Sequence, residues 1–116
     1  MALQMTEKDS GGITILTISG RITLGEASYE LRTRLKDFLA QGKTRVVLDL
    51  GDVSYIDSAG LGTLVAGYTS ARNGGAMLKL ANLTKKIKDQ MHITKLVTVF
   101  ETFDSVDDAV KSFGAA

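Results

Sequence analysis

Asp52-Val53-Ser54-Tyr55-Ile56-Asp57-Ser58-Ala59-Gly60-Leu61-Gly62-Thr63-Leu64 is the most particular stretch of this 116-residue chain. It reads as a strand that ends at a short loop and passes straight into a helix. The helical part follows from the spacing of Leu61, Leu64, Val65, Tyr68 and Ala71. Asp57 or Ser58 stands at the helix N-terminus, where a side-chain oxygen accepts from an otherwise unpaired backbone N–H. Gly60 and Gly62 fall in the first turn, although glycine costs about 1 kcal/mol relative to alanine inside a helix. Two such residues in one turn predict that bulk is not tolerated there, because of a partner or a close approach of another backbone.

Working outward, Val46-Val47-Leu48-Asp49-Leu50 is apolar on both faces and is expected as a central strand. Before it, Ala27, Leu31, Leu35, Phe38 and Leu39 line one face of a helix over Glu26–Ala40, closed by Gly42. Ile13–Ser19 is β-branched and bounded by glycines, so a strand is predicted there. An earlier strand or arm around Ala2 to Thr6 pairs beside it through a hairpin-like loop at Ser10-Gly11-Gly12. After the central helix, Asn73-Gly74-Gly75 acts as a stop and Met77–Ala81 as a short strand. Thr84–Met91 is a short helix with Ile87 and Met91 inward, and Lys95–Phe100 is expected to hold the last strand. Ser105 caps a final helix whose face is Val106, Ala109, Val110 and Phe113, with Asp107 and Asp108 suited to its positive end.

The order β-β-α-β-α-β-α-β-α predicts an α/β fold. Its sheet is mixed and mostly parallel, of about five strands packed with about four helices, and the opening strands add an antiparallel edge. Residues 1–116 are expected to form one domain, since no repeat or low-complexity linker interrupts them.

Composition narrows the chemistry. The absence of cysteine removes disulfides, thiol catalysis and cysteine metal sites, and fits a reducing cytoplasm. Fourteen basic and thirteen acidic residues leave a net charge of +1, which carries no footprint for nucleic acid. The basic run Lys85-Lys86-Ile87-Lys88 is expected to be a solvated helix face. No apolar stretch approaches the roughly 20 residues that span a bilayer, and Met1 to Ser10 lacks the organisation of a secretory signal. The lone histidine, His92, is expected at the surface or in packing, with no marked nucleophile beside it and no metal-ligand spacing. Ser58-Ala59-Gly60-Leu61-Gly62 lacks the Lys-Ser/Thr of a P-loop, and no Gly-x-Gly-x-x-Gly follows the first strand. A binding protein without cofactor, rather than an enzyme, is the expectation.

On residue type alone, Asp57-Ser58 is an ordinary cap. The whole segment Ile56-Asp57-Ser58-Ala59-Gly60-Leu61-Gly62, however, closely resembles the signature of the STAS domain family, particularly bacterial anti-sigma factor antagonists. The resemblance extends to Gly20-Arg21, to Val46–Leu50 and to Gly74-Gly75, and so covers nearly the full chain. It implies a partner that is both anti-sigma factor and serine kinase, with Ser58 as the residue it phosphorylates. The unmodified antagonist captures that partner and frees a sigma factor, phosphorylation releases it, and a serine phosphatase resets the cycle. The implied partner surface comprises Thr23, Leu24, Gly25 and Glu26 together with Tyr55, Asp57, Ser58, Ala59, Gly60, Leu61, Gly62 and Thr63.

One departure stands out. Where many family members place an aspartate in a Gly-x-Leu-Asp pattern, this chain has Gly20-Arg21-Ile22-Thr23. The lost acid argues against nucleotide binding and points to altered partner recognition. Two other roles share the resemblance: an unphosphorylated accessory subunit of a lipid-type ABC transporter, and a nucleotide-binding sensor. The intact Ser58 hydroxyl favours the phospho-switched antagonist.

Overall fold

The computed structural model describes residues 3–114, apart from the side chain of Val97. In chain order the elements are β1 (Gln4–Ser10), β2 (Ile13–Ile22), α1 (Glu26–Ala40), β3 (Arg45–Ile56), α2 (Ser58–Asn73), β4 (Met77–Ala81), α3 (Lys85–Ile93), β5 (Thr102–Phe103) and α4 (Val106–Ser112). The strands form one sheet in the order β1-β2-β3-β4-β5. β1 runs antiparallel to β2, with Ser10 opposite Ile13 across the Gly11-Gly12 turn. The pairs β2–β3, β3–β4 and β4–β5 are parallel. β1 therefore begins later than the sequence pattern placed it and runs on to the turn; Ala2 lies outside the described residues.

The two-residue period of the strands sorts side chains between two cores. Leu16 and Ile18 of β2 and Val46, Leu48 and Leu50 of β3 face the larger one, with Leu31 and Phe38 of α1, Leu64 of α2, and Ile87 and Met91 of α3. Ile13, Ile15 and Val47 point the other way and meet Ala109 of α4, with Phe103, Val106, Val110 and Phe113 packed around them. β3 buries residues on both faces and pairs on both edges, as its apolar run predicts. α1 occupies the expected Glu26–Ala40.

Lys95–Phe100 is not a strand. Lys95 takes a left-handed conformation (φ 62°) after α3, and Leu96–Thr98 forms a single 3₁₀ turn. Leu96 and Phe100 lie one helical turn apart, joined by a backbone hydrogen bond of 3.2 Å, so both can turn inward. Phe100 then meets Tyr68 edge to face at 5.3 Å. This local packing outweighs the β propensity of the valines and threonine, and β5 begins only at Thr102, two residues after Phe100.

Lys79, in the middle of β4, is 3% exposed. Its Nζ donates to Ser112 Oγ at 2.7 Å, lies 3.7 Å from a Glu101 carboxylate oxygen, and sits 4.2 Å and 5.5 Å from the ring centroids of Phe113 and Phe103. A buried ammonium ion is tolerable only when so surrounded. Its contacts with Ser112 and Phe113 link β4 to α4 and the residue that follows it.

Candidate functional site

β2, β3 and β4 are parallel, so their C-terminal ends share one edge, where α/β sheets commonly present their binding groups. At that edge Asp57, in extended conformation, is the N-cap of α2. One carboxylate oxygen accepts from Gly60 N at 2.8 Å; the other accepts from Leu24 N, in the β2–α1 loop, at 2.9 Å. The Asp57 N–H donates to Ile22 O at 3.2 Å. One residue thus caps the helix and holds two segments together. The Leu24 N–H, then that of Gly60, lowers the Asp57 pKa, against a smaller opposing effect of burial, and the charged form is favoured.

Because Asp57 takes the cap, Ser58 does not. It is the first residue of the helix and is exposed, close to the positive end of the helix dipole. Gly60 is buried against its own chain: a Cβ there would run into the Ile22 carbonyl oxygen and come within 2.9 Å of side-chain carbons of Ile22 and Ile56. Gly62 is different. A Cβ at that position meets nothing within 4 Å, so the two glycines of the first turn have separate reasons. Gly62 instead lines an open, largely apolar groove of about 440 Å³ with Ser58, Leu61, Val65 and Ala66 of α2, faced by Thr94 and Leu96.

A STAS domain model matches residues 4–109. The chain belongs to the STAS domain family. It is 34% identical over 99 residues to the anti-sigma-B factor antagonist of Bacillus subtilis, covering 85% of this chain and 84% of that one. It is 27% identical over 113 residues to the anti-sigma-F factor antagonist RsfB of Mycobacterium tuberculosis, covering 94% and 88%. The crystal structure of an anti-sigma factor antagonist from Mycobacterium paratuberculosis superposes with a TM-score of 0.84 at 22% identity, covering 95% of this chain and 92% of that one.

Within this STAS domain the residues singled out from sequence divide between surface and interior. Leu24, Gly25, Glu26, Ser58 and Gly62 are exposed, and Leu24 is 79% exposed. Thr23, Tyr55, Asp57 and Ala59 are half-buried. Gly60, Leu61 and Thr63 are buried; Thr63 donates its hydroxyl to Ala59 O at 3.1 Å and so braces the first turn rather than facing outward. Thr23 is tied inward as well, its carbonyl accepting from Ser28 N and Ser28 Oγ. Lys85, Lys86 and Lys88 are exposed around the buried Ile87, as expected of a solvated helix face, and His92 is exposed too.

Two features of this STAS domain were not anticipated. Gln90 of α3 donates from Nε2 to the carbonyl of Ile56 at 2.6 Å, bracing the residue just before Asp57, while its buried Oε1 has no partner among the described residues. Its position one turn after Ile87, on the inward side of α3, was the available signal. Tyr55 is flanked by two cations: Arg21 Cζ at 5.0 Å from the ring centroid and Lys86 Nζ at 5.1 Å. Among the described residues there is no cluster of three or more metal-ligating side chains, and no helix is long and apolar enough to cross a membrane.

Proposed function

We propose that this chain is an anti-sigma factor antagonist, and that a phosphate on Ser58 controls release of its partner. The observation that carries this is the division of labour between Asp57 and Ser58: the carboxylate holds the cap and the Leu24 loop, which leaves the neighbouring hydroxyl exposed and outside the cap. The names of the relatives support the antagonist role.

In this reading the unmodified protein docks its anti-sigma factor, which is also the serine kinase, against the apolar groove and the exposed Leu24. The kinase moves the γ-phosphoryl group of ATP onto Ser58 Oγ. The product adds about −1.5 to −2 charge at pH 7. A helix N-terminus accommodates that charge, so the domain stays folded. The docked face does not: it already holds the Asp57 carboxylate, and like charges in a desolvated interface cost several kcal/mol. A loss of about 4 kcal/mol weakens binding nearly a thousandfold. A serine phosphatase restores the hydroxyl. The protein itself acts by binding in the cytoplasm, and sigma-dependent transcription is the output.

The test is to supply Mg-ATP and lysate from the source organism to the purified chain and to follow intact mass and phosphopeptides. One phosphate, on Ser58 and absent from Ser58→Ala, supports the switch. Phosphate elsewhere, or none, overturns it.

A further inference from the structure

Arg21, Tyr55 and Lys86 form a small cationic surface that the antagonist role does not by itself explain. Arg21 and Lys86 are both exposed, Tyr55 is half-buried between them, and both cations approach the same ring. Two positive charges gathered at one aromatic ring repel each other, and the ring quadrupole offsets only part of that. Neither Arg21 nor Lys86 pairs with a carboxylate among the described residues; several other basic residues are unpaired too, but only these two converge on one ring.

The backbone brings these groups together by an irregularity. The β2–β3 register places Gly20 opposite Val53 but Arg21 opposite Tyr55, so β3 carries one extra residue at that point. Without the shift, Arg21 would stand opposite Ser54. Bulges of this kind re-aim side chains and are common near functional sites. Here Ser54 instead donates its hydroxyl to Gly20 O at 3.3 Å, closing the irregularity. Tyr55 precedes Asp57 by two residues, and Arg21 precedes Thr23 by two, so the cationic surface continues the edge that carries Ser58. The aspartate of the Gly-x-Leu-Asp pattern is Thr23 here, which leaves this edge one acid fewer, and the Asp57 carboxylate that remains is engaged by Gly60 N and Leu24 N.

We propose that Arg21, Tyr55 and Lys86 are a receptor for acidic side chains on a protein partner and set which partner docks at this edge. The guanidinium takes a carboxylate in a two-point hydrogen bond, the ammonium neutralises a second or shares the first, and the ring fixes both cations in advance. Nucleic acid is the poorer occupant, because the chain has a net charge of only +1 and this surface only two cations. As a determinant of the anti-sigma partner, the proposal rests on the antagonist reading; as an acid-binding surface it stands alone.

The test uses the isotope-labelled full chain, titrated with a short Glu-rich, Ala-spaced peptide and with its Lys-for-Glu counterpart. The acidic peptide is expected to shift the amide resonances of Arg21, Tyr55 and Lys86, with affinity that falls as salt rises, while the basic peptide shifts none of them. Arg21→Glu or Lys86→Glu is expected to weaken the acidic peptide about tenfold or more, and Arg21→Gln and Lys86→Gln less. Unchanged resonances elsewhere in each variant show that it is folded. Acidic-peptide shifts confined to other residues, or undiminished in the charge-reversed chain, overturn the proposal. Binding of the acidic peptide by a chain that takes no phosphate on Ser58 would sink the switch and leave this surface standing; the reverse pattern would do the opposite.

Discussion

The carboxylate of Asp57 and the backbone N–H of Leu24 are hydrogen-bonded at 2.9 Å although 33 residues separate them in the chain. This bond fastens the β2–α1 loop to the start of α2 through a single side chain. Removing it has two separable effects. Asp57→Ala loses the cap and the loop tie together and is expected to destabilise the fold by about 1–2 kcal/mol. Asp57→Asn keeps one acceptor oxygen and is expected to fall between wild type and alanine. Urea unfolding gives the energies, and the Leu24 amide resonance reports whether the loop is held. Equal stability of Asp57→Ala and wild type would remove Asp57 from its bracing role.

The lowered pKa of Asp57 has a definite consequence for acid stability. Its folded pKa lies below the unfolded value of about 3.9. Above that value both states are ionised and the stabilisation is complete. As pH falls toward the folded pKa, the unfolded chain binds the proton first and stability drains away. The urea midpoint of wild type is therefore expected to drop more steeply below about pH 4 than that of Asp57→Asn. Parallel profiles would show that Asp57 makes no such contribution.

Gly60 and Gly62 are expected to respond in opposite directions to the same change. Gly60→Ala forces a methyl group against the Ile22 carbonyl and is expected to cost about 1–3 kcal/mol. Gly62→Ala meets open space and removes backbone entropy from the unfolded chain, so a gain of about 0.5–1 kcal/mol is expected. The same methyl group enters the groove beside Ser58, so partner affinity should fall while stability rises. Thermal unfolding and a binding isotherm on both variants check the pair.

Lys79 separates volume from charge. Lys79→Ala empties a buried position and is expected to cost about 2–5 kcal/mol. Lys79→Met retains most of the volume and needs no ion pair, so a change within about 1.5 kcal/mol is expected. Comparable damage from both variants would mean that the ammonium itself, through Ser112 and Glu101, holds α4 in place.

Strong periodicity was readable: the apolar face of α1 and the two-sided burial of β3 are properties of local spacing. The displaced last strand was not, because Leu96-Val97-Thr98-Val99 has the composition of a strand and yields only to the left-handed Lys95 and the anchoring of Phe100 on Tyr68. The buried Lys79 was hidden for a related reason: nothing in Met77–Ala81 reveals that α4 will supply Phe113 and Ser112 to receive it. At the candidate site the position of the junction was legible, but its division of labour was not. That the capping Asp57 also holds Leu24 could not be read locally, because Leu24 is remote in the chain. The different reasons for Gly60 and Gly62 depend on Ile22, which only the β2–β3 pairing brings close.

Since the cap rests on Asp57, position 58 is nearly free of thermodynamic duty, and exposed substitutions with no structural partner usually change stability by within about 0.5 kcal/mol. Mutation can therefore explore that one site without endangering the domain. Alanine, glutamate or threonine at position 58 would each inherit an intact scaffold, so a lineage can lose, fix or retune its response there while folding holds Asp57 in place.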